Sequence, residues 1–311
     1  MRLLHMQEDG TFSLVDFLTD TPPYAILSHT WGADDQELTY RNIIDGTGHQ
    51  KAGYAKLQFL QQQANTDNLH YFWIDTCCIE KTSSAELSEA INSMFRWYRR
   101  AIKCYVYLAD VTHASYTRDS RALQNSRWFT RGWTLQELIA PTAVEFFSSD
   151  GIHLGSKDSL VRDIAAITGI PGPALQGRPL SWFTVDDRMA WAGGRQTKRP
   201  EDAAYALMGL FDVHMPLIYG EGRIKAMQRL HKEMEMDTLK TWAVSNWLYH
   251  FLRRQSPGRY SDLSITALDR KVRLWVKLYA VMFAIAGMVA FSLFYVRSPI
   301  LRSSGSYGTM Y

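Results

Sequence analysis

Short apolar runs alternate along this chain with segments of helical spacing, and this alternation restricts the fold more than any other feature of the sequence. Apolar residues recur at helical spacing over residues 51–64. A second helix is expected from Ser83, whose S-x-x-E pattern with Glu86 is typical of a capping box. The apolar runs between the helical segments are residues 24–27, 71–74, 104–108 and 143–147. Buried strands that alternate with helices favour an α/β fold, in which helices cover both faces of a mostly parallel sheet.

The two ends of this predicted core have different patterns. Residues 1–4 and 13–17 surround a polar, glycine-containing turn, which indicates an N-terminal hairpin. From about residue 151 the pattern becomes helical, and helices are expected over residues 160–167, 200–210 and 223–236. We therefore expect an α/β core over residues 1–150 and a helical extension over residues 151–238.

The last part of the sequence predicts a membrane helix. Residues 278–296 contain no charged residue, and nineteen positions just reach the length that a helix needs to cross a bilayer core. A buried core helix is the alternative interpretation. Four basic residues precede the run within eight positions and two follow it, so the positive-inside rule predicts a cytosolic domain anchored to a membrane. The expected order is a linker at 239–277, a transmembrane helix at 278–296 and a short tail at 297–311.

The charge balance and the cysteines exclude several classes of protein. The chain has 34 basic and 31 acidic residues, a formal net charge of +3, and shows no nucleic-acid-binding motif, so nucleic acid is not an expected partner. Its three cysteines show no C-x-x-C spacing, which argues against a zinc site. The cysteines and the absence of a signal-peptide pattern at the N-terminus fit a reducing compartment.

Candidate site residues follow two of the predicted strands and occupy one predicted helix. Ligands of parallel sheets bind at the carboxyl ends of strands. The predicted helix at residues 133–139 places Trp133 and Glu137 on one face. A surface glutamate is the alternative for Glu137. The strand-end candidates are Ser28, His29, Thr30, Trp31, Gly32, Asp75 and Cys77.

Some of these residues also fit purely structural roles, and the sequence lacks the motifs of several enzyme classes. Cys77 and His29 form a potential thiol–imidazole pair, but each also fits a structural role in the core. Asp75 fits a ligand site and equally a strand end at which its carboxylate accepts hydrogen bonds from loop amides. The sequence contains no G-x-S-x-G, Walker A, G-x-G-x-x-G or H-E-x-x-H motif.

Several longer segments resemble successive blocks of the fungal heterokaryon-incompatibility (HET) domain. The blocks are YAILSHTWG (24–32), WIDTCCI (73–79), AELSEAIN (85–92), RGWTLQE (131–137), RPEDAAY (199–205) and PLIYGEG (216–222). Together they extend over roughly residues 1–236. Glu80 departs from the family pattern, in which aspartate is expected.

The resemblance implies a role in fungal self/non-self recognition and regulated cell death, with a homo-oligomer or another incompatibility protein as the expected partner. It also implies a remote likeness to TIR signalling domains, and hence a TIR/flavodoxin-like sheet. Catalytic TIR domains cleave NAD with the glutamate of a W-x-L-x-E-L pattern, which residues 133–138 match, so Glu137 is the expected catalytic residue. Ser28, His29, Thr30, Trp31, Gly32, Asp75, Cys77 and Trp133 are the expected substrate-binding residues. NAD is then a substrate, and no cofactor or metal is expected. A non-enzymatic self-association module is the alternative.

Overall fold

The strands of this chain form one sheet in the part that the structure describes. This computed structural model describes residues 1–119 and 121–236, of which Met1–Met234 form one compact unit. Along the chain the strands are β1 (Arg2–Met6), β2 (Phe12–Asp16), β3 (Tyr24–His29), β4 (Tyr71–Trp73), β5 (Lys103–Leu108), β6 (Val144–Ser148) and β7 (His153–Ser156). Their order across the sheet is β2-β1-β4-β3-β5-β6-β7. The predicted α/β fold and the N-terminal hairpin are confirmed.

Eleven α-helices accompany this sheet in the described residues, before the last helical segment. They are α1 (Tyr40–Ile44), α2 (Ala52–Thr66), α3 (Asp75–Cys78), α4 (Ser84–Arg100), α5 (His113–Arg118), α6 (Thr134–Ile139), α7 (Val161–Thr168), α8 (Gly172–Leu175), α9 (Val185–Ala190), α10 (Asp202–Tyr205) and α11 (Met208–Phe211). Residues 222–236 are helical as well. Short 3₁₀ helices lie at Arg127–Thr130 and Leu180–Trp182.

The four central strands are parallel, and the outer strands are antiparallel. β3 pairs in parallel with β4 and β5, and β5 pairs in parallel with β6. Counted along the chain, these four strands stand in the order 2-1-3-4, which is the order of flavodoxin-like sheets. In such sheets the ligand crevice opens where the strand order reverses, at the carboxyl ends of the first and third parallel strands. Here those strands are β3 and β5.

Helices cover both faces of the sheet, as neighbouring residues of β5 demonstrate. The thiol of Cys104 points to the main-chain oxygen of Glu137 in α6, 3.9 Å away. The hydroxyl of Tyr105 donates to the main-chain oxygen of Gln63 in α2, 3.2 Å away. Because consecutive side chains of a strand point to opposite faces, α2 and α6 lie on opposite sides of the sheet.

Two details differ from the sequence prediction. Residues 200–210 were expected to form one helix, but they form the two short helices α10 and α11. At the break the hydrogen bonds shorten from i−4 to i−3, since the Leu207 amide donates to the Ala204 oxygen at 3.0 Å. The sheet also continues past residue 150 into β7, which pairs antiparallel with β6 inside the expected helical extension.

The predicted linker (239–277), membrane helix (278–296) and tail (297–311) lie outside the described residues. Among the residues that are described, none of the helices is both long and apolar enough to cross a bilayer.

Candidate active site

A buried hydrogen-bonded cluster joins the end of β3 to α6. The hydroxyl of Ser28 donates to Glu137 Oε2 at 2.5 Å, and it accepts a hydrogen bond from the indole nitrogen of Trp128 at 2.8 Å. Ser28 is 0% exposed, Glu137 is 7% exposed and Trp128 is 0% exposed. Ser28 is a polar residue in a strand that is buried along its whole length, and these two partners satisfy its hydroxyl. The cluster therefore holds one carboxylate in a defined place beside the predicted crevice.

The surroundings of Glu137 make its carboxyl unusually easy to protonate. Burial raises the pKa of Glu137 from its ordinary value of 4.5 to about 7, and the negative charge of Asp75 acts in the same direction. The hydrogen bond from Ser28, the charge of Arg131 and the hydroxyl of Tyr98 oppose this rise. Tyr98 also donates to the Leu27 oxygen at 2.9 Å, which ties α4 to β3 beside the carboxylate. A carboxyl that titrates near neutrality is suited to chemistry at the pH of the cell.

A second polar group surrounds Trp31, at the partly exposed side of the site. The indole nitrogen of Trp31 donates to Asp75 Oδ2 at 3.0 Å, and Lys81 Nζ lies 3.4 Å from the same oxygen. Lys81 Nζ is 3.7 Å from the Trp31 ring centre, and the Arg131 guanidinium carbon is 5.3 Å from it. Burial favours a raised pKa for Asp75, but the positive charges of Lys81 and Arg131 oppose burial, and the pKa lies below its usual value. The carboxylate at the end of β4 is therefore ionised and paired with Lys81.

A buried ionic group supports the backbone that connects Ser28 to Trp31. Lys56 Nζ donates to the Thr30 oxygen at 3.0 Å and pairs with Glu37 Oε1. The same Glu37 oxygen accepts a hydrogen bond from the Gly32 amide at 2.5 Å. Burial opposes ionisation of Glu37, but its pKa is lowered to about 2, and the hydrogen bonds from the Gly32 amide and Lys56 favour the ionised form. Thr30 and Gly32 thus act through their main chain and fix the shape of this loop.

His29 is neutral and buried beneath the same loop. Burial lowers the pKa of His29 below its ordinary value. Its Nε2 lies 3.7 Å from Glu37 Oε2, too far for a hydrogen bond, and has no hydrogen-bond partner among the described residues. This placement fits the structural interpretation of His29 better than a catalytic one.

Two residues of the expected substrate-binding set face other parts of the molecule. Cys77 is 0% exposed, its thiol points to the Leu38 oxygen at 3.8 Å, and burial raises its pKa to about 12. A protonated, buried thiol packs in the core and does not act as a nucleophile. The indole nitrogen of Trp133 donates to Asp202 Oδ2 at 3.2 Å, so this ring belongs to the cluster around α10.

That cluster is formed by the RPEDAAY and PLIYGEG blocks. Asp202 accepts hydrogen bonds from Trp133 and, at 3.0 Å, from the Tyr219 hydroxyl. Glu201 Oε1 accepts the amides of Gly220 and Gly222, both at 2.9 Å. Since each acidic side chain is used by a neighbouring block, these motifs serve to attach the extension to α6 and to shape its turns. Gly220 and Gly222 both have positive φ, which agrees with a turn before the last described helix.

The sequence prediction missed several residues of this site. Trp128 and Tyr98 reach the cluster only through tertiary packing, and no spacing links them to Ser28 or Glu137. Lys56 could have been identified from the sequence, because it lies among the apolar positions on the buried face of α2. A lysine in such a position requires a charged or hydrogen-bonding partner. In the described residues no group of His, Cys, Asp and Glu side chains is arranged to hold a metal ion.

The raised pKa of Glu137 predicts a pH dependence of stability. An acid whose pKa is higher in the folded state stabilises the fold below its unfolded-state pKa, and this contribution is lost as the pH rises through the folded-state pKa. Between pH 4.5 and about 7, we expect the free energy of unfolding to fall by about 3 kcal/mol through this group alone. Urea unfolding of wild type and Glu137→Gln across this range isolates the contribution, because the glutamine does not titrate. A difference between the two proteins that stays constant with pH would contradict the assigned titration.

Comparison with known proteins identifies part of the chain. Residues 24–123 match the family model described as heterokaryon incompatibility protein (HET). The chain is 54% identical over 244 residues to vegetative incompatibility protein HET-E-1 of Podospora anserina. That match covers 76% of this chain but only 18% of the relative, so the chain spans less than a fifth of that protein's length. No solved structure gives a significant match. The match of residues 24–123 to the HET family model agrees with the resemblance that the sequence blocks predict.

Proposed function

We propose that this HET-domain chain acts in vegetative incompatibility as a cell-death signalling protein, and that it does so by cleaving NAD at the nicotinamide–ribose bond with Glu137. The named relative, a vegetative incompatibility protein, supports the biological role. The observation that carries the chemical proposal is the buried Glu137 carboxylate, held by Ser28 at the carboxyl end of β3. The W-x-L-x-E-L pattern and the flavodoxin-like strand order support the TIR-like comparison.

The proposed reaction needs little from the protein beyond one well-placed negative charge. Nicotinamide in NAD is already a cationic leaving group, so its departure requires no general acid. The ribose that remains has the character of an oxocarbenium ion, which a carboxylate stabilises. Burial makes this interaction stronger than it is in water. The approach of a cationic nicotinamide ring also favours the ionised form of Glu137.

The groups around Trp31 match the rest of such a substrate. Arg131 and Lys81 lie beside the Trp31 ring and carry the positive charge that a pyrophosphate requires. Asp75 holds the Trp31 indole in place. Ser28 and Glu137 are buried, so a ligand reaches the carboxylate only if the side chains that cover it move. When these side chains close again over the bound ligand, they exclude water during the reaction.

The direct test is to incubate the purified chain with NAD and to measure released nicotinamide. Protein-dependent, saturable release supports the proposal, and heat-denatured protein is the control for contamination by small molecules. A folded chain that releases no nicotinamide, alone or in cells undergoing cell death caused by this protein, would overturn the enzymatic proposal.

A non-enzymatic self-association module is the second candidate, and the burial of the site favours it. With Ser28 at 0% and Glu137 at 7% exposure, the cluster also serves as a polar core that fixes α6 against the sheet. In this case cell death proceeds without loss of NAD and depends on contacts with another copy of the chain or another incompatibility protein. Measuring NAD in dying cells separates the two candidates.

A membrane-anchored cytosolic domain completes the proposal. The uncharged run at 278–296 and the basic residues before it support this topology. Extraction with alkaline carbonate is expected to leave the full chain in the membrane fraction and to release a variant truncated after residue 260. Equal release of both proteins would exclude the anchor.

A further inference from the structure

The helix that carries Glu137 is short, and a buried lysine holds its C-terminal end. Lys157, which is 3% exposed, donates to the main-chain oxygen of Leu138 at 3.2 Å and to that of Pro141 at 2.6 Å. These oxygens belong to the last turn of α6 and to the residues just beyond it, where carbonyl groups lack partners within a helix. A cation at this end also matches the direction of the helix dipole. Lys157 therefore stabilises α6 in a conventional way.

A second, partly buried cation lies at the opposite end of the same helix, where the helix dipole does not favour it. Arg195 Nη1 donates to the Arg131 oxygen at 2.9 Å and to Thr134 Oγ1 at 3.0 Å. Positive charge near a helix N-terminus opposes the dipole, so the dipole does not account for this placement. The Nη2 of Arg195 is buried and has no hydrogen-bond partner among the described residues. Burial lowers the pKa of Arg195 to about 10, and attraction to Glu137 is the force that opposes this loss of charge.

The backbone around Arg195 is fixed to the segment that leads into α6. The Gly132 amide donates to the Gln196 oxygen at 2.8 Å, and the Gln196 amide donates to the Thr130 oxygen at 2.7 Å. The two segments pass so closely that a Cβ atom on Gly132 would lie 2.4 Å from Thr197 Cγ2. Arg195 is thus held by its neighbouring main chain as well as by its side chain, and it has little freedom to move relative to the start of α6.

We propose that Arg195 is a positioning residue for Glu137, and that the segment around it makes the helical extension part of the active site. Arg195 binds the segment at the start of α6 through the Arg131 oxygen and Thr134 Oγ1, and its positive charge attracts the Glu137 carboxylate on the same helix. This inference rests on the proposed function for its catalytic meaning. The α/β core without Arg195 would carry Glu137 but would lack the group that sets its position and charge.

The decisive experiment measures the carboxyl titration of Glu137 directly, by carbon-13 NMR of glutamate-labelled protein. We expect Arg195→Met to raise the pKa of Glu137, because a favourable positive charge is removed. The other groups that act on this carboxyl are unchanged in the variant: Ser28, Tyr98, Asp75 and Arg131. Amide hydrogen exchange over α6 is expected to speed up in the same variant. Nicotinamide release is expected to fall about 100-fold, as for other small displacements of a catalytic group.

Arg188 provides a matched control. Its Nη1 donates to the main-chain oxygen of Leu210 at 2.7 Å and its guanidinium lies over Phe211, away from α6. Arg188→Met therefore also removes a partly buried arginine that binds a carbonyl oxygen, and it should leave the Glu137 titration unchanged. Arg195→Lys keeps the positive charge but cannot contact the Arg131 oxygen and Thr134 Oγ1 in the same way. In this variant we expect the pKa of Glu137 to be close to that of wild type, and the rate of nicotinamide release to lie between those of Arg195→Met and wild type. If Arg195→Met does not fold, Arg195→Lys takes its place in the comparison with Arg188→Met.

The outcomes separate this inference from the proposed function. If neither Arg195 variant changes the Glu137 titration or the exchange of α6 relative to Arg188→Met, the positioning role is wrong. If the titration shifts as expected but wild type releases no nicotinamide, the positioning role stands and the enzymatic proposal fails.

Discussion

Glu137→Gln is expected to lower the rate of nicotinamide release from NAD by about a hundred- to a thousand-fold. The glutamine keeps the size of the side chain and can still accept the hydrogen bond from Ser28, but it carries no charge to stabilise the developing cation on the ribose. Because ionised Glu137 is destabilising in its buried position, the variant should stay folded at neutral pH. Rates from purified wild type and variant, with circular dichroism to monitor the fold, make the comparison.

Glu145→Gln is the matched control for this loss of charge. Glu145 lies on β6, where its Oε2 is 2.7 Å from His153 Nε2, and it is not part of the Ser28–Glu137 cluster. Its substitution should leave the rate within about two-fold of wild type, since a surface pair of this kind contributes little. If Glu137→Gln releases nicotinamide as fast as Glu145→Gln does, Glu137 is not the catalytic residue.

Lys56→Met is expected to lower the free energy of unfolding by about 3–5 kcal/mol. The substitution leaves Glu37 buried without its cation, and the Thr30 oxygen loses its donor. Chemical denaturation of wild type and variant at neutral pH measures the effect. Because the loop from Thr30 to Gly32 depends on Glu37, we also expect the Trp31 fluorescence of the native state to change.

Two further variants test whether the lost ion pair is the cause. Lys56→Met combined with Glu37→Gln should recover part of the stability, because no unpaired charge then remains. Lys103→Met removes a partly exposed lysine that lies 3.7 Å from Asp67 and 3.8 Å from Glu145. This control should cost less than about 1 kcal/mol. An equal loss for Lys56→Met and Lys103→Met would show that the buried pair has no special role.

Most strands were predictable from the sequence because they are apolar runs bounded by turns. The prediction for β3 stopped at residue 27, whereas the strand continues through Ser28 and His29. Polar residues end a strand in sequence patterns, but Ser28 remains in the buried sheet because Glu137 and Trp128 satisfy its hydroxyl. β7 was missed because HLGS has no apolar alternation. β7 is a strand because its main chain pairs with β6.

The candidate site was predictable only where strand ends converge. The approach of Trp31 to Asp75 follows from β3 and β4, which are neighbouring strands with a common direction. Ser28 meets Glu137 because α6 packs on β3, which is a tertiary contact. Trp133 shows the limit of spacing rules. It stands at the N-cap of a helix of six residues, before the regular turns begin, so its side chain is free to reach Asp202. The roles of these residues in binding and catalysis remain predictions.

The sheet order has a practical consequence for studying this domain in pieces. A fragment limited to the matched residues 24–123 would contain β3, β4 and β5 but none of the strands that flank them. β5 would then lose β6 and present its unpaired CYVYL segment to solvent, and β4 would lose β1. Exposed apolar edge strands pair with other chains. Such a fragment is expected to aggregate, and its self-association would be an artefact easily mistaken for signalling.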